Sequence, residues 1–96
     1  MRIALDAMGS DHYPQPDVAG GVRAARRFGC EVVLVGREEA IRAELAKLDT
    51  AGLALSVVHA ADMIEMGEHP SQAARSKADA SIVVAMGLLR DGKVDA

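Results

Sequence analysis

An α/β fold, with a parallel sheet covered by helices on both faces, follows from three features of the sequence. Short aliphatic runs recur at residues 2–6, 31–35 and 54–58, and they are near-continuously apolar, as strands buried on both faces are. Between them lie stretches of helical length with recognisable end signals. Strand alternating with amphipathic helix over such lengths calls for right-handed βαβ crossovers, and therefore for strands that run parallel.

The first run, "RIALD", is closed by Asp6. It is followed by "PDVAGGVRAARRFG", where Pro16 suits a first helical turn, Arg23, Arg26 and Arg27 lie towards the negative end of the helix dipole, and Gly29 is a stop. Gly20 and Gly21 sit inside this helix at roughly 1 kcal/mol each relative to Ala, so close packing on the sheet or access for a ligand should compensate. The second strand is "EVVLV" at 31–35. In "REEAIRAELAKLD", Ile41, Leu45 and Leu48 fall at i, i+4 and i+7 on one helical face, and Glu38 can pair with Arg42 on the exposed side. The third strand is "ALSVV" at 54–58. Beyond the irregular "DMIEMGEHP", Pro70 opens a short helix through Lys77, and Asp79 caps another that places Ile82, Met86 and Leu89 on one face and stops at Asp91-Gly92. "KVDA" then stands where a fourth strand should begin. The expectation is one α/β domain over residues 1–96, without internal boundary and incomplete at its C-terminus.

Composition narrows the function classes. Half of the residues are apolar but only 2% are aromatic, so a modest core must be built from Ala, Val, Leu, Ile and Met. Eleven basic against 14 acidic residues give a net charge of −3, with no Lys/Arg cluster of the kind that neutralises a phosphate backbone, which argues against nucleic-acid binding. Cys30 is the single cysteine, so no intrachain disulfide forms and a reducing, cytoplasmic setting is expected. No apolar run reaches the roughly 18 residues of a membrane span.

Chemistry concentrates after the first strand, in "DAMGSDHYP". Loops at the carboxyl ends of strands are the favoured ligand positions of a doubly wound sheet. Gly9 lets backbone approach a ligand, and turn amides ahead of a helix can hold an anion, but Asp6 and Asp11 would repel one unless offset by cations elsewhere. No Gly-x-Gly-x-x-Gly, Gly-Lys-Ser/Thr or Asp-x-Asp motif occurs here. Asp6, Asp11 and His12 could supply metal ligands. The structural alternative is that Asp6 closes the strand while Ser10 or Asp11 forms an Asx-type turn. A second polar group, Arg75, Lys77, Asp79 and Ser81, reads either as a solvated surface with a helix cap or as a cationic pair aimed at an anion. His59, at the end of the third strand, could reach the same crevice, whereas His69 precedes Pro70 as a cap or surface residue.

Together the stretches "MRIALDAMGSDHYP", "EVVLVGREEAIRAEL" and "VVHAADMIEMGEHPSQAARSKADAS" resemble the bacterial phosphate acyltransferases, the acyl carrier protein:phosphate acyltransferases of phospholipid synthesis, over essentially all 96 residues. The sequence departs from the family pattern in three respects: Ser10 stands for the usual second Gly, Ser76 and Ala78 thin the basic run, and Ala80 replaces the first Ser of a pair. The resemblance implies a Rossmann-like fold, related to phosphotransacetylases and isocitrate dehydrogenases. It also implies transfer of a long-chain acyl group from acyl carrier protein to inorganic phosphate, with no cofactor and no required metal. Carried over by position, Asp6, Met8, Gly9, Ser10, Asp11 and His12 would line the crevice at the first strand. Arg75 and Lys77 would offer positive charge to phosphate or to the acidic carrier protein, and Asp11, His12 and Lys77 are the candidates for a catalytic role.

The same resemblance implies a homodimer in the cytoplasm, with peripheral membrane association through residues downstream. It places the natural anion cradle in a Ser-Ala-Gly-Asn-Thr-Gly loop after the next strand, so the 96 residues by themselves are expected to be inactive. Two other classes remain from the residues alone, a metal-dependent hydrolase and a non-catalytic receiver-like binding module.

Overall fold

The computed structural model describes residues 1–8, 14–61 and 80–96. Among them are three strands, β1 (Arg2–Asp6), β2 (Glu31–Gly36) and β3 (Leu55–His59), and three helices, α1 (Gln15–Phe28), α2 (Glu38–Leu45) and α3 (Ser81–Arg90). The strands form one sheet in the order β1-β2-β3, and both pairings are parallel. In register, Leu34 lies opposite Leu5 on one side and Val57 on the other.

β2 is central, and its apolar run explains the layers. Val32 to Val35 are all buried, and successive side chains alternate between faces. Val32 and Leu34 join Ala7, Val18, Val22, Ala25 and Ile41 in a core roofed by α1 and α2. Val33 and Val35 join Ala60, Ala85 and Val94 in a second core roofed by α3. The sheet is thus helix-covered on both faces, as the continuous apolar strands require.

α1 ends where expected: Gly29 adopts a left-handed conformation at φ 65°, and its N–H donates to the Ala25 carbonyl at 3.0 Å. The two helix glycines differ in kind. A Cβ on Gly21 would meet Leu34 Cδ2 at 2.9 Å and Leu5 Cδ2 at 3.1 Å, so its bare backbone lets α1 approach the sheet. Nothing lies within 4 Å of the same position on Gly20.

Three local expectations shift. α2 ends at Leu45, short of the expected reach to residue 49; Ile41 is fully buried, Leu45 packs against the core, and Leu48 is exposed in the turn beyond. The Glu38–Arg42 pair forms at 2.9 Å. The N-cap of α3 is Ala80, without a side-chain cap hydrogen bond, and Asp79, the expected cap, lies outside the described residues. Ile82, Met86 and Leu89 do share a face of α3, but it is the outer one, and the buried face is Ser81 and Ala85 flanked by Val84 and Leu88. The helix is apolar nearly all round, so several i, i+4, i+7 sets compete and the smaller side chains fit the sheet.

Residues 94–96 run beside the free edge of β1 in the same direction: Asp95 N–H donates to the Arg2 carbonyl at 2.7 Å, and Ala4 N–H donates to the Ala96 carbonyl at 2.8 Å. The expected position of a fourth strand is therefore occupied, on the side of β1 opposite β2. Arg2 ties this corner together. Its guanidinium forks onto both carboxylate oxygens of Glu31 at 2.6 and 3.0 Å and donates to the Lys93 carbonyl, while its backbone N–H donates to Asp95 Oδ2.

Two outcomes test this packing. Gly20→Ala should raise stability by about 0.5–1 kcal/mol through helix propensity alone. Gly21→Ala should lower it by about 1 kcal/mol, because overpacking against Leu34 outweighs the same gain; urea unfolding of both variants reads the opposite signs. The hydrogen bond from Arg2 holds the Glu31 carboxyl below its ordinary value, so its contribution is complete above the unfolded value near pH 4.3 and is lost as pH falls through the lower folded value. Glu31→Gln should accordingly lower the urea midpoint at pH 7, with the difference from the parent chain shrinking as pH falls through the lowered folded value.

Candidate functional site

The carboxyl ends of the strands present Asp6, Gly36 and His59. From β1 the chain passes through α1 to β2 and β3 on one side, and through α3 to residues 94–96 on the other. The end of β1 is therefore the point where the strand order reverses, the position at which open α/β sheets bind ligands.

Asp6 organises that point. Its Oδ1 accepts the Met8 N–H at 2.9 Å, an Asx turn, and the Ser81 hydroxyl at 2.6 Å across 75 residues of sequence. Ala7 extends the ladder by donating its N–H to the Val35 carbonyl. One carboxylate oxygen thus joins the end of β1, the turn after it and the first residue of α3. A hydrogen bond to a charged group is worth about 1.5–3 kcal/mol. The negative charge at the start of α3 also complements the helix dipole where Ala80 offers no cap.

Asp6, which the sequence offers as the strand-closing residue, makes an Asx turn of its own, and the turn offered to Ser10 or Asp11 lies outside the described residues. Met8 is 3% exposed, and its side chain lies against Gly36, where a Cβ would come within 3.0 Å of Met8 Cγ. The bare backbone of Gly36 is what admits it, so Met8 packs the turn after β1 against the end of β2. Ser81 is the one buried polar residue among those described, at 1% exposure, and it has its partner in Asp6. The sequence groups it with Arg75, Lys77 and Asp79, as a solvated surface with a helix cap or as a cationic pair aimed at an anion. The signal that could have found it is its spacing to Ala85 and Leu88, at i+4 and i+7 on the face that meets the sheet.

His59 is brought to a different place. It is exposed, and its Nδ1 accepts the Glu38 N–H at 3.2 Å, supplying α2 with the acceptor that Arg37 does not provide. Arg37 turns its Nε to the Ala61 carbonyl, and with Glu39 these residues line a shallow hollow over β3, two strands away from Asp6. Gly9, Ser10, Asp11, His12, His69, Arg75, Lys77 and Asp79 lie outside the described residues. Among the described residues, no three His, Cys, Asp or Glu side chains are grouped to hold a metal ion, and no helix is long and apolar enough to cross a membrane.

Comparison with known proteins adds to this geometry. The family model described as "Fatty acid synthesis protein" matches residues 1–96. The chain is 56% identical over 96 residues to the phosphate acyltransferase of Herpetosiphon aurantiacus, covering 100% of this chain and 26% of that protein. It is 47% identical over 96 residues to the phosphate acyltransferase of Pelotomaculum thermopropionicum and 45% to that of Geobacter sulfurreducens, again over its full length and over 28% of each relative. The chain thus spans about a quarter of the length of the curated relatives it matches. With its sheet reversing at Asp6 and its full-length match, this chain belongs to the fatty acid synthesis protein family.

Proposed function

We propose that this chain forms the first wall of a phosphate acyltransferase site, in which inorganic phosphate takes a long-chain acyl group from acyl carrier protein to give acyl phosphate for phospholipid synthesis. The observation that carries the reading is the junction of Asp6 and Ser81 at the strand-order reversal, in a chain whose relatives are phosphate acyltransferases.

Phosphate is a competent nucleophile as its dianion. An oxygen of phosphate attacks the thioester carbonyl carbon, the C–S bond breaks, and the carrier thiolate leaves and takes a proton from water. No covalent enzyme intermediate is needed, and holding the two reactants in line can supply about 7–11 kcal/mol of the barrier. The oxyanion that develops on the carbonyl requires donors. In this reading Arg75 and Lys77 supply positive charge to phosphate or to the acidic carrier, and Gly9 and Ser10 present backbone to it. Asp11, His12 and Lys77 are the residues available for orientation and proton movement. Asp6 serves the loop rather than the anion, which accounts for a carboxylate beside a phosphate site. No cofactor or metal is needed by this chemistry. The reading includes a homodimer in the cytoplasm, with peripheral membrane association through residues outside the 96.

A hybrid tests the reading, with this chain replacing the matching segment of the Herpetosiphon aurantiacus relative. The hybrid should form acyl phosphate from acyl-carrier thioester and phosphate, measured by hydroxylamine capture, while the 96-residue chain alone forms none. Arg75→Ala combined with Lys77→Ala in the hybrid should raise KM for phosphate by about tenfold or more, the loss of charge-assisted contacts. Turnover by the chain alone, an inactive hybrid or an unchanged KM would each count against it.

A further inference from the structure

We propose that Ser81 is a positioning residue, whose buried hydroxyl fixes the Asp6 carboxylate so that the turn at Met8 is held against α3. The inference concerns the geometry of the crevice, and its catalytic consequence rests on the phosphate acyltransferase reading.

The positioning follows from how few alternatives the hydroxyl has. Ser81 is 1% exposed, so water does not compete for its proton, and its Oγ lies 2.6 Å from Asp6 Oδ1. That same oxygen accepts the Met8 N–H. A carboxylate that accepted only the amide two residues on could rotate about χ1 and χ2 at small cost, because the Asx turn is local. The second bond, made from a helix that belongs to the opposite face of the sheet, selects one rotamer. Ser81 cannot easily yield, since Ala80 is buried beside it, Ala85 packs one turn on, and α3 is seated on Val33 and Val35. The helix therefore acts as the rigid support and the hydroxyl as its point of contact. A support of this kind, outside the reacting groups, is what keeps a site within the narrow tolerances of catalysis.

Amide exchange and the Met8 amide-proton resonance, followed by NMR in the full 96-residue chain, test the proposal in Ser81→Ala, Asp6→Ala and the double variant. Ser81→Ala should speed exchange at Met8 by about tenfold and shift its resonance, while Val33 and Leu34 in β2 stay within about twofold of the parent chain. The double variant should match Asp6→Ala alone, because Ser81 acts through that carboxylate. An unchanged Met8 in Ser81→Ala, a loss shared equally by Val33 and Leu34, or additive effects in the double variant would overturn the proposal. In the hybrid, Ser81→Ala should lower kcat with KM for phosphate within about twofold of the parent hybrid. An inactive parent hybrid would count against the acyltransferase reading, whereas the exchange data alone decide the role of Ser81.

Discussion

The rest of this structure depends on the burial of β2 from both sides. Four consecutive residues, Val32 to Val35, have almost no contact with water, and they can do so only if helices cover each face. That single requirement sends α1 and α2 to one side and α3 to the other. It also fixes the size of what packs there. With one Phe and one Tyr in the chain, the layers meet through Val, Leu, Ile and Ala, and helix and sheet approach closely enough that a Cβ on Gly21 would press on Leu34 and Leu5.

Covering both faces has a topological result at β1. The chain leaves this strand towards β2 through one layer and returns to its other edge through the opposite layer, so the two layers open away from each other at Asp6. Where the layers open, main-chain groups lose their regular partners, and something must join the two sides. A carboxylate is well suited, since each oxygen can accept more than one donor. Asp6 takes one donor from its own turn and one from α3. The loop's conspicuous acidity, which argued against a phosphate cradle, belongs in part to this joint.

Much of this was legible in the sequence because it rests on strong local signals. The three strands, the Gly29 stop of α1 and the α/β class follow from apolar runs and from the residue type that most readily adopts φ 65°. What was hidden had competing signals. In α3, "SIVVAMGLL" offers large apolar residues at several phases, and only the sheet's demand for small neighbours decides that Ala85 faces inward and Met86 outward. In the candidate site, Asp6 was visible as a strand-ending acid, but its partner lies 75 residues away, and no local pattern couples them. Long-range polar pairs between otherwise apolar surfaces leave little trace in periodicity, because each member looks like an ordinary cap or surface residue in its own neighbourhood.

The two edges of β1 are filled by segments at very different distances along the chain. Arg2 clasps Glu31 at a separation of 29 residues and Asp95 at a separation of 93. Bringing the more distant segment home costs about 1 kcal/mol more in loop-closure entropy, because that cost grows with the logarithm of the intervening length. The β2 edge is thus the cheaper one to close. Arg2, with its guanidinium on Glu31 and Lys93 and its backbone on Asp95, is the residue that holds the near closure and the far one together.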